Sequence, residues 1–386
     1  MHSAKAVITI FVGFNASALN LYGRCVNAEV IPMSADKPSQ QPEILYRGIL
    51  LCIAIAVISY VLWVSYKPIS SLMWAFIVSI IIANVTNLPK SLTVGVNFCS
   101  KDLLRAVIAV LGIVTSALIW LQVGVGLLNA LAVVLFSFFF GTWLGKKMGL
   151  EKSLTILVGV GTAICGASAI AATAPVVKAK EEEVGLALAC ITLFGLLAMF
   201  AYPFLFTNTI VGTWLKHDIN LYSIWCGSGI HEAAQVIAAS GALNSDAIGP
   251  AVLVKSIRIF MIGPMILVAT YLISRMDKSN VGKVQTKAVL PVYGIIFIIN
   301  SVFCALLDVY SPQLLTIGFE WVTVKKTLSG TIIPFLLATC FAGVGLKVKF
   351  RDIAKLGAKP FAFGALMALL AGILALGLAV AAGMFL

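Results

Sequence analysis

The sequence predicts an all-α polytopic membrane protein of about eleven transmembrane helices, built as two inverted five-helix repeats with crossed discontinuous helices. Three observations predict it. Apolar residues make up 61% of the 386 and charged residues 11%, with a mean hydropathy of +1.05, where a soluble domain carries about 25% charge. Apolar segments of membrane length recur along almost the whole chain. One of them, GTAICGASAIAATAP at residues 161–175, is interrupted by glycine and proline. A bilayer tolerates broken backbone only where freed N–H and C=O groups face protein or a water-filled cavity, so such a stretch points to a transporter's substrate site. The plainer alternative is a tightly packed helix, because small residues let helices approach closely.

The net charge of +12 is no nucleic-acid footprint in such a chain, since Lys and Arg excess marks cytoplasmic loops. No nucleic-acid partner is expected. The eight cysteines lie mostly inside apolar runs without CxxC or Cys/His spacing, and imply neither a disulfide frame nor a metal site.

Taken in order, residues 1–45 read as an N-terminal cytoplasmic extension and linker, with Pro38 and Pro42 in its polar part. The alternative there is a cleaved signal peptide ending near Ala16-Ser17-Ala18. Residues 46–68 hold an additional transmembrane helix, 69–210 the first repeat and 211–386 the second. The predicted spans are 46–66, 69–88, 103–121, 123–144, 153–174, 184–206, 221–240, 248–273, 288–307, 328–346 and 361–386.

Alternate loops carry Lys90 and Lys101; Lys146, Lys147 and Lys152; Lys216; Arg275, Lys278, Lys283 and Lys287; and Lys347, Lys349, Arg351, Lys355 and Lys359. The opposite set has Lys67, Lys178, Lys180, Lys325 and Lys326. The first set and the N-terminus are therefore expected in the cytoplasm.

The repeat rests on KDLLR at 101–105 and KSIR at 255–258, each followed by an apolar run with a breaker. That register pairs 161–175 with 329–345, which carries Gly330, Pro334, Gly343 and Gly345. A second likeness, GTAICGA at 161–167 and GSGIHEA at 227–233, joins spans an even number apart. These cannot be inverted mates if both cross fully.

Four ionisable residues fall inside spans: His231, Glu232, Lys255 and Arg258. An Arg, Lys or Asp costs about 2.5–3.5 kcal/mol at a helix centre on insertion scales, so such groups face a cavity or a partner. Lys255 and Arg258 share a helix face and, beside half-helix N-termini, would suit an anion. The alternatives are an ion pair of Arg258 with Glu232, or snorkelling. His231, whose unperturbed pKa is about 6.5, is a proton-carrier candidate, with Glu232 sharing the role; a satisfied core histidine is the plainer reading. Gln235 follows His231 by four and could orient it. Thr162 and Ser168 offer hydroxyls, and the backbone at Gly161 and Gly166 offers N–H groups. No carboxylate dyad, nucleophile–base pair, phosphate loop or metal cluster is present, so the sequence supports no enzyme and no cofactor.

GTAICGASAIAATAPVVKAKEEEV (161–184), ITLFGLLAMFAYP (191–203), GIHEAAQVIAA (229–239) and VKSIRIFMIGP (254–264) together resemble the YeiH-like family of bacterial inner-membrane proteins, which carries a sulfate-exporter label. The resemblance runs from about residue 46 to the C-terminus. It implies a fold related to sodium–proton antiporters and bile-acid symporters, with crossed broken helices in a core domain beside a panel domain. It also implies a plasma-membrane location and export of sulfate or a related sulfur oxyanion. Two departures stand out: Glu232 sits where the family more often has Asp, and the N-terminal extension is longer than usual.

The expected function is therefore secondary transport of a small anion by alternating access. The expected partners are the bilayer, a small inorganic or organosulfur anion, protons or sodium as coupling ion, and a second copy of the chain in a homodimer. A cation–proton antiporter on the same fold, a passive anion channel and a non-transporting membrane protein are the rivals.

Overall fold

The computed structural model describes residues 42–66, 69–118, 124–276, 292–315, 320–353 and 357–385; the expectations for residues 1–41 lie outside them. All regular structure among the described residues is helical. In chain order come α1 (Pro42–Ser65), α2 (Ser71–Val85), α3 (Lys90–Asn97), a π-helical stretch (Phe98–Leu103) and α4 (Leu104–Leu111). Then follow α5 (Gly124–Lys147), α6 (Lys152–Ala163), α7 (Ala167–Thr173), α8 (Glu181–Asn208), α9 (Ile210–Trp214), α10 (Ile219–Gly229) and α11 (Ala233–Leu243). After the 3-10 turn Ser245–Ala247 come α12 (Ile248–Phe260), α13 (Ile262–Met276), α14 (Val292–Leu315) and α15 (Trp321–Thr327). A second π-helical stretch (Leu328–Ile332), α16 (Ile333–Gly345), α17 (Phe350–Ile353) and α18 (Ala358–Phe385) complete the chain.

Seven helical stretches among the described residues are long and apolar enough to cross a membrane: Leu45–Ser65, Gly124–Lys147, Glu181–Asn208, Ser245–Ala269, Val292–Tyr310, Trp321–Gly345 and Ala358–Met384. Of the other four predicted spans, 69–88 yields the 15-residue α2, and 103–121 runs past the described residues. The remaining two, 153–174 and 221–240, are not straight crossings.

The chain divides into two compact units, one from Met1–Ile119 and Pro291–Lys347 and the other from Trp120–Leu290 and Val348–Leu386. In the first, small residues set the helix spacing: a Cβ on Gly95 of α3 would lie 2.6 Å from the Cα of Gly48 in α1. Cys52, Cys99, Ala342 and Leu346 fill its core. Asp308 of α14 accepts from Lys325 Nζ at 2.8 and 3.0 Å and from Trp321 Nε1 at 2.8 Å, fastening α15 to α14.

The second unit is read along α8. Glu183 at its start accepts a hydrogen bond from the Ser153 hydroxyl at the start of α6. Further along, Ile191 lies against Gly161 and Gly166, and Gly195 against Gln235. Tyr202 stacks on Trp225 with centroids 3.9 Å apart, and Phe206 packs on Tyr222 at 4.7 Å. So α6 starts at the Glu181 end of α8 and α10 at the Asn208 end.

Both then turn back. Gly161 of α6 packs on Ile170 of α7, and the Lys180 N–H that follows α7 reaches Glu183 at 2.7 Å, back at the Glu181 end. In the other pair the Tyr222 hydroxyl of α10 donates to the Ala239 carbonyl of α11 at 2.8 Å. The Ser223 hydroxyl reaches the Ala247 carbonyl at 3.1 Å. Each segment is a helical hairpin entering from one end, and the two tips meet partway along α8. This corrects the expected crossings. The 12-residue α6 and 11-residue α10 reach about 18 and 16 Å at 1.5 Å per residue, short of the roughly 30 Å core.

Two expectations change with it. Lys178 and Lys180 share the end that carries Lys146, Lys147 and Lys152, whereas Lys216 lies at the other. Residues 329–345, paired with 161–175 in the expected register, form a π-helical stretch running directly into α16 and no hairpin. The phrase at 227–233 does break as 161–167 does: α6 and α10 both stop at its third residue, and α7 and α11 both start at its seventh.

The long helices α5 and α18 brace the hairpins. Asn129 Nδ2 of α5 donates to the Ala375 carbonyl of α18 at 3.0 Å, and Trp225 Nε1 of α10 to the Gly372 carbonyl at 3.1 Å. Lys216 Nζ caps the far end of α18 at the Gly383 carbonyl.

Candidate functional site

The tips are Ile164-Cys165-Gly166, between α6 and α7, and Ile230-His231-Glu232, between α10 and α11. Gly166 has φ +73° and ψ −120°, a conformation open to glycine alone at low cost. Its Cα faces the other tip, for a Cβ there would lie 2.6 Å from Glu232 Cγ and 2.9 Å from Ile191 Cγ2. The Glu232 N–H donates to Gln235 Oε1 at 3.1 Å, one arm of a capping box that starts α11. Gln235 Nε2 in turn reaches the Thr192 carbonyl of α8 at 3.5 Å. A side chain on Gly195 would collide with Gln235 Oε1, so glycine there lets the amide lie against α8.

Both cations come from α12, three residues apart and fully buried. Arg258 Nε donates to the Ala163 carbonyl at 2.9 Å and Nη2 to the Thr162 carbonyl, at the end of α6. Its Nη1 donates to the Ser228 carbonyl, to Ile230 at 3.1 Å and to Gly227 at 3.4 Å, at the end of α10. Lys255 Nζ donates to the Ile230 carbonyl at 2.8 Å and to the His231 carbonyl at 2.5 Å. A helix C-terminus carries unsatisfied carbonyls and about half a negative charge. Two such ends converge here on two positive side chains. One guanidinium fork thus ties both hairpins together, a geometry that a planar group with five donors can meet and a single ammonium cannot.

All nine sequence-predicted site residues lie in this one unit, at or next to the tips. Gly161 and Thr162 form the last turn of α6, and Ser168 sits exposed in α7. The expected setting of Lys255 and Arg258 beside half-helix N-termini is corrected: their bonded partners are carbonyls at half-helix C-terminal ends and at the Ile230-His231 tip. His231 and Gln235 are buried, while Glu232 and Cys165 are half-buried. Three polar atoms here are buried without a hydrogen-bond partner among the described residues: Thr162 Oγ1, Ser228 Oγ and His231 Nδ1. Ser228 was not singled out from the sequence. The signal was there, since Ser228 holds the place in 227–233 that Thr162 holds in 161–167.

This fold and site define a multi-pass α-helical membrane protein. The chain belongs to the family described as Conserved hypothetical protein 698, whose model matches residues 47–364. It is 32% identical to a UPF0324 membrane protein of Yersinia pestis over 332 residues, which is 84% of this chain and 88% of the relative. A UPF0324 membrane protein of Pseudomonas aeruginosa is 31% identical over 347 residues, 86% and 93% of the two chains. The UPF0324 inner membrane protein YeiH of Escherichia coli K12 is 32% identical over 295 residues, 75% and 80%. The resemblance to YeiH-like inner-membrane proteins drawn from the motifs is borne out.

Proposed function

We propose that this protein is a secondary transporter of a small anion, sulfate or a related sulfur oxyanion, working by alternating access and exporting from the cytoplasm. The observation that carries the reading is the pair of hairpins meeting tip to tip, with orphaned polar atoms on Thr162, Ser228 and His231. Interrupted helices that meet inside the bilayer are how many carriers form a central site. Lys255 and Arg258, against the single carboxylate of Glu232, bias that place toward negative charge. Their role is to set the field and hold the tips, while the backbone N–H of Ser168 and the Thr162 and Ser228 hydroxyls meet the ion; the Gly166 N–H, expected from the sequence to face it, is instead held by the Gly161 carbonyl at 3.0 Å. Gly161 keeps α6 and α7 close, and Gln235 positions Glu232. His231 and Glu232 couple the movement to protons.

The inverted-repeat plan belongs to the same proposal, with repeat boundaries at 69–210 and 211–386 and a permuted order in the second. There, α10/α11 and α12–α13 answer to α6/α7 and α8, and come before α14, α15–α16 and α18, which answer to α2, α3–α4 and α5. The matching π-helical stretches at Phe98–Leu103 and Leu328–Ile332 support that pairing. The lysine-rich Glu181 end of α8 is assigned to the cytoplasm, and with it the N-terminus.

The test is radiolabelled sulfate, sulfite and alkylsulfonate flux in proteoliposomes with and without a pH gradient, beside Thr162→Val. Gradient-driven flux that falls in the variant while its melting temperature holds is the expected result. No flux of any of these anions removes the anion assignment, and flux indifferent to the gradient removes His231 and Glu232 from coupling.

A further inference from the structure

The ends of α6 and α10 make a cluster of main-chain oxygens around α12: the carbonyls of Thr162, Ala163, Gly227, Ser228 and Ile230, followed by that of His231. With them lie the orphaned hydroxyls of Thr162 and Ser228. Oxygen donors alone, at half-helix C-terminal ends, are the coordination that a small monovalent cation takes in carriers built on broken helices. Here the oxygens are already engaged. Lys255 Nζ holds two of them within 2.8 Å, and the Arg258 guanidinium holds the rest.

We infer that Lys255 and Arg258 are tethered cations that permanently fill the cation site made by the two half-helix C-termini, so that this carrier works without sodium. The inference rests on the carrier reading of the hairpins and narrows its coupling ion. Two things favour it over a merely structural clasp. The hydrogen bonds that the two cations make to the hairpins go to carbonyls, the ligands of a free alkali cation. And the two hydroxyls stand at equivalent places in the two repeats of one phrase, as in a site formed from both halves. A fixed positive charge at this point supplies what a bound sodium ion would supply, with no concentration dependence. The movement of protons through His231 and Glu232 is left as the coupling reaction.

The test needs no transported ligand. Full-length protein in nanodiscs is melted in choline chloride, sodium chloride and methylammonium chloride at one ionic strength. Wild-type protein is expected to melt at the same temperature in all three. Lys255→Ala is expected to melt lower in choline and to regain several degrees in sodium or methylammonium, because a free cation then occupies the vacated oxygens and stabilises the folded state by mass action. A clasp that had simply been removed would show no such recovery. A wild-type melting temperature that rises specifically with sodium overturns the inference, and so does a variant that melts alike in all three salts. Should Lys255→Ala fail to assemble in choline, recovery of monodisperse protein only when purified in sodium or methylammonium supports the inference, and failure in every salt overturns it. Because neither readout involves flux, a protein that moves no anion would sink the transport reading and leave this result standing.

Discussion

Replacing Arg258 with methionine keeps a long apolar stem and deletes the guanidinium that joins the hairpins. The carbonyls of Thr162, Ala163 and Ser228 then lose the donor they share, and that of Gly227 loses a long, weak contact at 3.4 Å, while that of Ile230 keeps Lys255 at 2.8 Å. A buried polar group left unsatisfied costs about 1–3 kcal/mol, so three of them cost about 3–9 kcal/mol. Glu232 and Cys165 beside the cluster are only half-buried, so the tips have room to relax, and the low end applies, about 3 kcal/mol. At about 2–4 °C per kcal/mol for domains of 150–250 residues, the melting temperature falls by about 6–12 °C. Intrinsic fluorescence follows it, since Trp225 stacks on Tyr202 beside α10. Arg258→Lys should fall between, because one ammonium can reach one tip and not both. If Arg258→Met melts within a degree of wild type, the carbonyl cluster is not held by this side chain and the account of the tips fails.

Three further outcomes are expected. Gly166→Ala should cost about 2–5 kcal/mol, from the glycine-only backbone conformation and the collision with Glu232, whereas Gly185→Ala, with open space around it, should be neutral or gain up to about 1 kcal/mol in the same melting assay. In a cysteine-free background, Lys147→Cys and Lys178→Cys should react with a membrane-impermeant maleimide from one face, and Lys216→Cys and Asn244→Cys from the other; labelling of Lys147→Cys and Lys178→Cys from opposite faces would mean that α6 and α7 cross. Asp308→Asn should lower stability by about 1–2 kcal/mol, discounted because the pair with Lys325 is about a quarter exposed, and a melting temperature that does not move would show that the fastening of α15 to α14 contributes nothing.

The class of fold was legible because composition and segment length respond to the bilayer as a solvent, and those demands survive in any order of residues. Chain reversal was not legible. A helix that turns back at Gly166 and one that continues have the same hydropathy, and the positive φ that distinguishes them leaves only a glycine among many. The repeated phrase at 161–167 and 227–233 was the better guide than the KDLLR and KSIR likeness. The sequence leaves its meaning open, because whether the two segments cross is not written in their composition. At the site, residue types that a membrane makes costly, such as Lys255 and Arg258, stood out from the sequence. Their partners did not, because a backbone carbonyl has no letter of its own. Nor did the π-helical stretches at Phe98–Leu103 and Leu328–Ile332, since their composition is ordinary for helix.

The position of α18 has a consequence for biogenesis. Its carbonyls at Gly372, Ala375 and Gly383 serve Trp225, Asn129 and Lys216, which are synthesised well before it. Three helices and one π-helical stretch of the other unit, α14 to α16, emerge in between. During that interval these donors sit in lipid without their final acceptors, and two hairpins too short to anchor themselves wait for a brace. Closure of the hairpin-bearing unit therefore waits for α18, and a nascent chain stalled before residue 358 is the species that membrane quality control would meet.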